Sequence, residues 1–202
     1  MIELYEKYKS LKIDGSYIGL ERGEEIGDYF CTPIGAKVIG WDNGMHYCFI
    51  DGFDEMVFCV NPDTCCDYYV YPLAKNFYDF LSLIATTKNV NIMQQIIWWN
   101  KADYDNFMRD PNTIEWAENL ETVAIINQIQ TKLGVQPMEN PFEYIKKVQK
   151  GFPYDEIRFT NEYYDTLGLE RLDGTEPEGE GCNCEFRPAE IIGIYHSDES
   201  ES

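Results

Sequence analysis

Apolar positions along this chain fall into successive regimes of different period. Between Ile2 and Ile13, Leu4, Tyr5, Tyr8 and Leu11 recur every three or four residues, which predicts a short amphipathic helix. Residues 14–34 are rich in Gly and acidic side chains and predict an irregular connection with at most one short element. From Ala36 the period drops to two. Ala36–Trp41 and His46–Ile50 read as strands joined by the turn Asp42-Asn43-Gly44-Met45. Asn-Gly at the central positions favours a type I′ turn, because both residues must accept positive φ and the turn then matches the twist of its strands. The expected register sets Trp41 opposite His46 and Ile39 opposite Cys48. Trp41, Ile39, His46, Cys48 and Ile50 would then share one face, and Val38, Tyr47 and Phe49 the other. Both faces are apolar, which predicts a sheet covered on both sides. Met56–Val60 and Tyr68–Tyr71 supply two further strands, separated by the breaker Asn61-Pro62-Asp63.

After Pro72 the period lengthens to 3.6. Phe77, Phe80, Leu81 and Ile84 form one stripe; Ile92, Met93, Ile96 and Trp99 form another, with Asn91 placed to cap it. A short helix over Ala102–Met108 should stop before Pro111. Trp116, Leu120, Val123, Ile126, Ile129 and Leu133 predict one inward stripe on a helix from Thr113 to Leu133, ended by Gly134. Pro141 suits the first position of a last helix that buries Phe142, Ile145 and Val148 and ends at Gly151. The pattern as a whole predicts an α+β fold: an antiparallel sheet of about four to six strands, a meander over residues 36–71, flanked by helices that dominate 76–150. Residues 1–171 are expected to form a single α+β domain. Residues 172–202 read as an acidic Gly/Glu-rich linker and tail, with a short docked strand at 187–196.

Composition changes that picture in one respect, charge. With 44% hydrophobic and 15% aromatic residues the 202-residue chain has ample material for a core, yet its formal net charge is −20. Residues 173–202 carry nine acids against one Arg, leaving 27 acids and 15 bases for the remainder. Such a field repels DNA, RNA and anionic membranes, since every phosphate contact needs a cation, and it suits a basic protein partner. The start of the chain is acidic with no following apolar run, and no stretch approaches the length of a membrane span, which predicts a cytosolic location. In that reducing compartment the seven cysteines are expected to be free thiols.

Few residues carry an obvious chemistry. His46 and Cys48 share a strand face and suit a nucleophile–base pair or two metal ligands, but a strand Cys and a His beside Trp are ordinary core residues. Cys65-Cys66 and Cys182-x-Cys184 lack the two- to four-residue spacing of zinc knuckles. No phosphate loop, nucleophile elbow, His-Glu-x-x-His or dinucleotide motif occurs. No catalytic residue, metal or cofactor is therefore expected. Asp42, Asp51, Asp54 and Glu55 cluster at hairpin ends, where carboxylates can grip a basic partner, hold a hard cation or serve as an acid/base pair. Trp41 and the Trp98-Trp99 pair supply aromatic surface, one ring of the pair turned inward and one toward a groove or interface. These seven residues are the expected binding set.

The run HYCFIDGF at 46–53, MVFCVNP at 56–62, YPLAKNFYDFLSLI at 71–84, NPFEYIKKVQKGF at 140–152 and NEYYDTLG at 161–168 resembles acidic bacterial proteins of the SUKH superfamily. That superfamily groups yeast cell-wall-synthesis regulators with bacterial immunity proteins against polymorphic toxins. The resemblance implies an α+β fold and a protein-binding role, with neutralisation of a basic, nuclease-like toxin as one form of it. A regulatory or scaffold protein of the same fold is the alternative, and a carboxylate-based hydrolase a second.

Overall fold

The computed structural model describes residues 3–22, 27–64 and 67–175. Helix α1 spans Glu3–Ser10 and turns Tyr8 into the core, while the pairs Glu3–Lys7 and Glu6–Lys9 lie on its wet side. A single 3₁₀ turn, Gly15–Ile18, follows; Asp14 caps it by accepting from the Ser16 amide. The sheet is a four-stranded antiparallel meander: β1 Ala36–Asp42, β2 Met45–Ile50, β3 Val57–Val60 and β4 Val70–Ala74, in that spatial order. Asn43 and Gly44 take φ of 47° and 77°, as a type I′ turn requires, and Trp41 lies opposite His46.

The register differs from expectation beyond that pair. A β-bulge between Val38 and Gly40 pairs Val38 with Cys48 and Gly40 with Tyr47, so Ile39 is not opposite Cys48. Ile39 packs instead in the cluster that holds Tyr47 and Phe49. The physical reason lies outside the hairpin. Leu20 crosses β1 at Gly40, where an added Cβ would stand only 2.5 Å from the Leu20 Cδ1. Glu21 then makes a two-bond bridge with Trp41, at 2.9 and 3.0 Å, which covers this end of the outer edge. The fourth strand also runs further than expected, through Pro72. Because β4 is an edge strand, a missing N–H there costs no ladder bond.

Both faces of the sheet are covered. Ile39, Tyr47, Phe49, Val57, Cys59, Tyr71 and Leu73 face the helical layer, and Cys48, Ile50, Phe58, Val60 and Val70 lie beneath Phe152 and Ile157 on the other side. At the centre of the helical layer is α2, Phe77–Thr87, whose Phe77, Phe80, Leu81, Leu83 and Ile84 are all fully buried. Eight of its eleven residues are buried, and α2 touches α1, β4 and three later helices. These later elements are α3 Val90–Gln95, α4 Lys101–Met108, α5 Pro111–Ala117, α6 Leu120–Leu133, α7 Pro141–Lys150 and α8 Asn161–Leu167.

Asparagine and aspartate punctuate this half. Asn76, Asn89, Asn100, Asp110 and Asn119 each accept a backbone N–H at a helix start. Asn89, not Asn91, therefore caps α3. The expected helix over 113–133 is two helices, because Asn119 takes the cap position and accepts from Glu121 and Thr122. Restarting there rotates the buried stripe of α6 onto Thr122, Ile125, Ile126 and Ile129. Leu120 and Val123, expected inside, are 82% and 38% exposed. The strand expected at 187–196 lies outside the described residues.

Candidate interaction groove

Helix α3 is fastened to the sheet at two points: the Tyr71 hydroxyl donates to Gln94 at 3.0 Å and the Tyr47 hydroxyl to Asn91 Oδ1 at 3.4 Å. Beyond its end, the amides of Trp98 and Trp99 both reach back to the Gln95 carbonyl, so the two indoles emerge from a tight turn. Asn100 and Asp103 close a capping box that starts α4, and Asp110 then starts α5 with Pro111 at the first helical position. A cleft of about 830 Å³ opens between the Trp98-Trp99 turn, α4 and the start of α5. Its lining includes Trp98, Trp99 and Phe107, the carboxylates Asp103 and Asp110, and the amides Asn106 and Asn112. Phe107, Asn112 and Thr113 also line a second hollow of about 250 Å³, which continues past Ile92 and Gln95 to Trp116. The two form one groove across α3, α4 and α5.

The indoles divide the work. Trp98 is 39% exposed, whereas Trp99 is partly buried against the core and meets Phe107 at 4.8 Å between ring centroids. No Lys or Arg lines either part of the groove. Asp103 and Asp110 each give a hydrogen bond acceptor to a cap, Asp103 to the Asn100 amide at 3.3 Å and Asp110 to the Asn112 amide at 2.9 Å. Neither forms an ion pair among the described residues. The groove is thus lined by aromatic rings and two carboxylates, with no cation among its lining residues.

The seven expected binding residues are not brought together. Trp98 and Trp99 line the groove. Asp42 sits near its Asn91 end but acts as a strut, its carboxylate accepting from the side chains of Asn91 and Asn43. Asp51, Asp54 and Glu55 stand at the opposite end of β2, roughly 17–20 Å away at about 3.3 Å per residue. There Asp51 is paired with Lys37 at 2.5 Å, and Asp51 and Asp54 border a separate cleft of about 470 Å³ that also contains Lys9 and Lys37. Trp41 is held in the sheet, with its indole N–H buried and unpartnered among the described residues. Phe107, Asp103 and Asp110 are groove residues that the periodicity did not single out, and Trp116, expected on an inward helical stripe, lines the hollow half-buried instead; the Asx caps at 100 and 110, flanked by aromatics at 99, 107 and 116, were the available signal.

The nucleophile–base reading of His46 and Cys48 has no chemical outlet. Both side chains are fully buried. His46 stacks on Tyr29 at 4.3 Å, and neither ring nitrogen has a hydrogen bond partner among the described residues. Burial holds its pKa below the ordinary value, against the opposing pull of Asp28. Burial also pushes the Cys48 thiol well up and the Cys31 thiol to about 12, so neither supplies thiolate at neutral pH. Among the described residues no three His, Cys, Asp or Glu side chains are arranged to hold a metal ion. Cys65, Cys66, Cys182 and Cys184 lie outside the described residues. No described helix is long and apolar enough to cross a membrane. No family model, curated protein or solved structure matches the chain.

Proposed function

We propose that this protein is a non-enzymatic binding protein that holds a partner protein in the groove between α3, α4 and α5. The observation that carries the reading is the lining itself: the rings of Trp98, Trp99, Phe107 and Trp116 beside the carboxylates of Asp103 and Asp110, with no cation. Large aromatic anchors inside a rim of polar groups are the usual make-up of an interface hot spot. The net charge of −20 favours a basic partner and speeds its approach. A basic, nuclease-like toxin met in the cytoplasm is the partner class that the SUKH resemblance implies, and it suits this groove. A regulatory role uses the same groove without a toxin.

The test is capture from the source cell with immobilised full-length protein, run beside a Trp98→Ala variant and at two salt concentrations. Trp98 is partly exposed, so the variant keeps its fold, and losing a hot-spot indole typically costs about 2 kcal/mol or more, roughly 30-fold in affinity. A partner that is released by the variant and held less tightly at high salt supports the reading. Capture indifferent to both overturns it.

A further inference from the structure

Resting on that reading, we infer that the segment entering the groove is an extended, Lys- or Arg-rich stretch of the partner rather than an amphipathic helix. Three features of the groove lead there. The first is charge: two carboxylates with no lining cation attract positive side chains and repel both the acidic tail of this chain and a second copy of it. The second is the exposed indole of Trp98 beside the half-buried ring of Trp99. Indole faces accept the alkyl stems of Lys and Arg and attract their cationic heads.

The third feature separates an extended occupant from a helical one. Asn106 on α4 and Asn112 on α5 line the same cleft from its two walls. Both side-chain amides are exposed and make no hydrogen bond to any described residue. Each offers a donor and an acceptor together, the complement of a peptide unit. A bound helix has satisfied its own backbone and leaves those amides idle. An extended segment arrives with unpaired N–H and C=O groups that need such partners. The groove is lined by short helices and the Trp98-Trp99 turn, with no strand edge among them, so strand addition to the protein's own sheet is not on offer there. Side-chain amides are the groups left to receive the occupant's backbone.

The experiment titrates the full-length protein with three synthetic ten-residue peptides and follows Trp fluorescence and calorimetric heat. One alternates Lys with Gly, one is a helix-forming Lys/Ala peptide of equal charge, and one alternates Glu with Gly. Saturable binding of the Lys/Gly peptide, at least tenfold tighter than the Lys/Ala peptide and absent for Glu/Gly, is the expected result. The double variant Asp103→Asn, Asp110→Asn keeps side chains that can cap helices while removing both charges, and it should weaken that binding at least tenfold. Asn106→Ala with Asn112→Ala should weaken the Lys/Gly peptide and leave the Lys/Ala peptide unchanged. Equal or tighter binding of the helix former overturns the inference, as does indifference to the Asn substitutions. Should no peptide bind while a cellular partner is still captured in a Trp98-dependent way, the inference falls and the binding reading stands. Capture that ignores Trp98 removes both.

Discussion

Gly40→Ala should unfold this protein more than any other single-methyl addition in the sheet, because the new Cβ has nowhere to go. It would lie 2.5 Å from Leu20 Cδ1, 2.8 Å from Leu20 Cγ and 2.9 Å from the Glu21 carbonyl oxygen. Carbon atoms pack at about 3.5–4.0 Å, so the Leu20 side chain must withdraw by about 1 Å or more. Leu20 is completely buried and its amide is tied to the Gly15 carbonyl at 2.9 Å. Glu21 is tied just as firmly, by the two hydrogen bonds to Trp41. Overpacking of this kind costs about 1–3 kcal/mol, and losing the Glu21–Trp41 bridge adds about 0.5–1.5 kcal/mol for each of its two bonds, so about 2–6 kcal/mol is expected. For a chain of this size that is a fall in Tm of roughly 4–24 °C. Thermal and urea unfolding read it directly. Gly44→Ala is the control: its φ is 77° but no atom lies within 4 Å, so only backbone strain of about 1–2 kcal/mol applies. A Gly40→Ala melt within 2 °C of wild type, about the effect of half a kcal/mol, would show that Leu20 and Glu21 do not clamp β1.

His46 is buried neutral, and its folded pKa lies below its unfolded value near 6.5, so the folded state binds fewer protons. Its contribution is intact above about pH 6.5 and is lost as pH falls from there through the folded value. The stability difference between wild type and His46→Phe should therefore move toward the variant as pH drops through that window; a difference constant from pH 7.5 to 5 would contradict this. Phe58→Ala should cost about 3–5 kcal/mol in urea unfolding, since Phe58 is fully buried against Phe53 and Phe152 at 5.5 and 5.3 Å; a loss under 1 kcal/mol would mean the second sheet face is not packed as described. Cys31, Cys48 and Cys59 are buried, so of the seven cysteines at most four should react quickly with a thiol reagent before unfolding and all seven after it. Five or more fast thiols in the native protein would place one of the three at the surface.

What could be read from the sequence was whatever depends on neighbours in the chain. Asn43-Gly44 announced its turn because the φ requirement is local, and Trp41 landed opposite His46 as the two-residue loop dictates. The bulge at Ile39 was not legible, because the segment packed against it at Gly40 comes from Leu20, nineteen residues before Ile39. Strand β4 continues through Pro72 to Ala74, beyond the expected end at Tyr71; proline is tolerated there because β4 is an edge, which only the sheet order shows. The stripe from Trp116 to Leu133 kept a helical period across Asn119, so apolar spacing alone could not see the break; the cap chemistry of Asn119 with Glu121 could. The candidate site follows the same division. Trp98 and Trp99 were visible as an aromatic pair with one ring inward and one outward, whereas the cleft beside them depends on how α4 and α5 are placed against that turn. The carboxylates at the two ends of β2 looked like one cluster in sequence and are separated by the length of the strand.

The central claim is that the groove, and not the loop carboxylates, is the binding surface. It is tested most directly by the affinity of the captured partner for three proteins: wild type, a groove variant (Trp98→Ala, Asp103→Asn, Asp110→Asn) and a loop variant (Asp51→Asn, Asp54→Asn, Glu55→Gln). The account predicts a loss of roughly 30-fold or more for the groove variant and less than threefold for the loop variant, with all three melting within a few degrees of one another. A partner held equally well by the groove variant, or released by the loop variant alone, would contradict it.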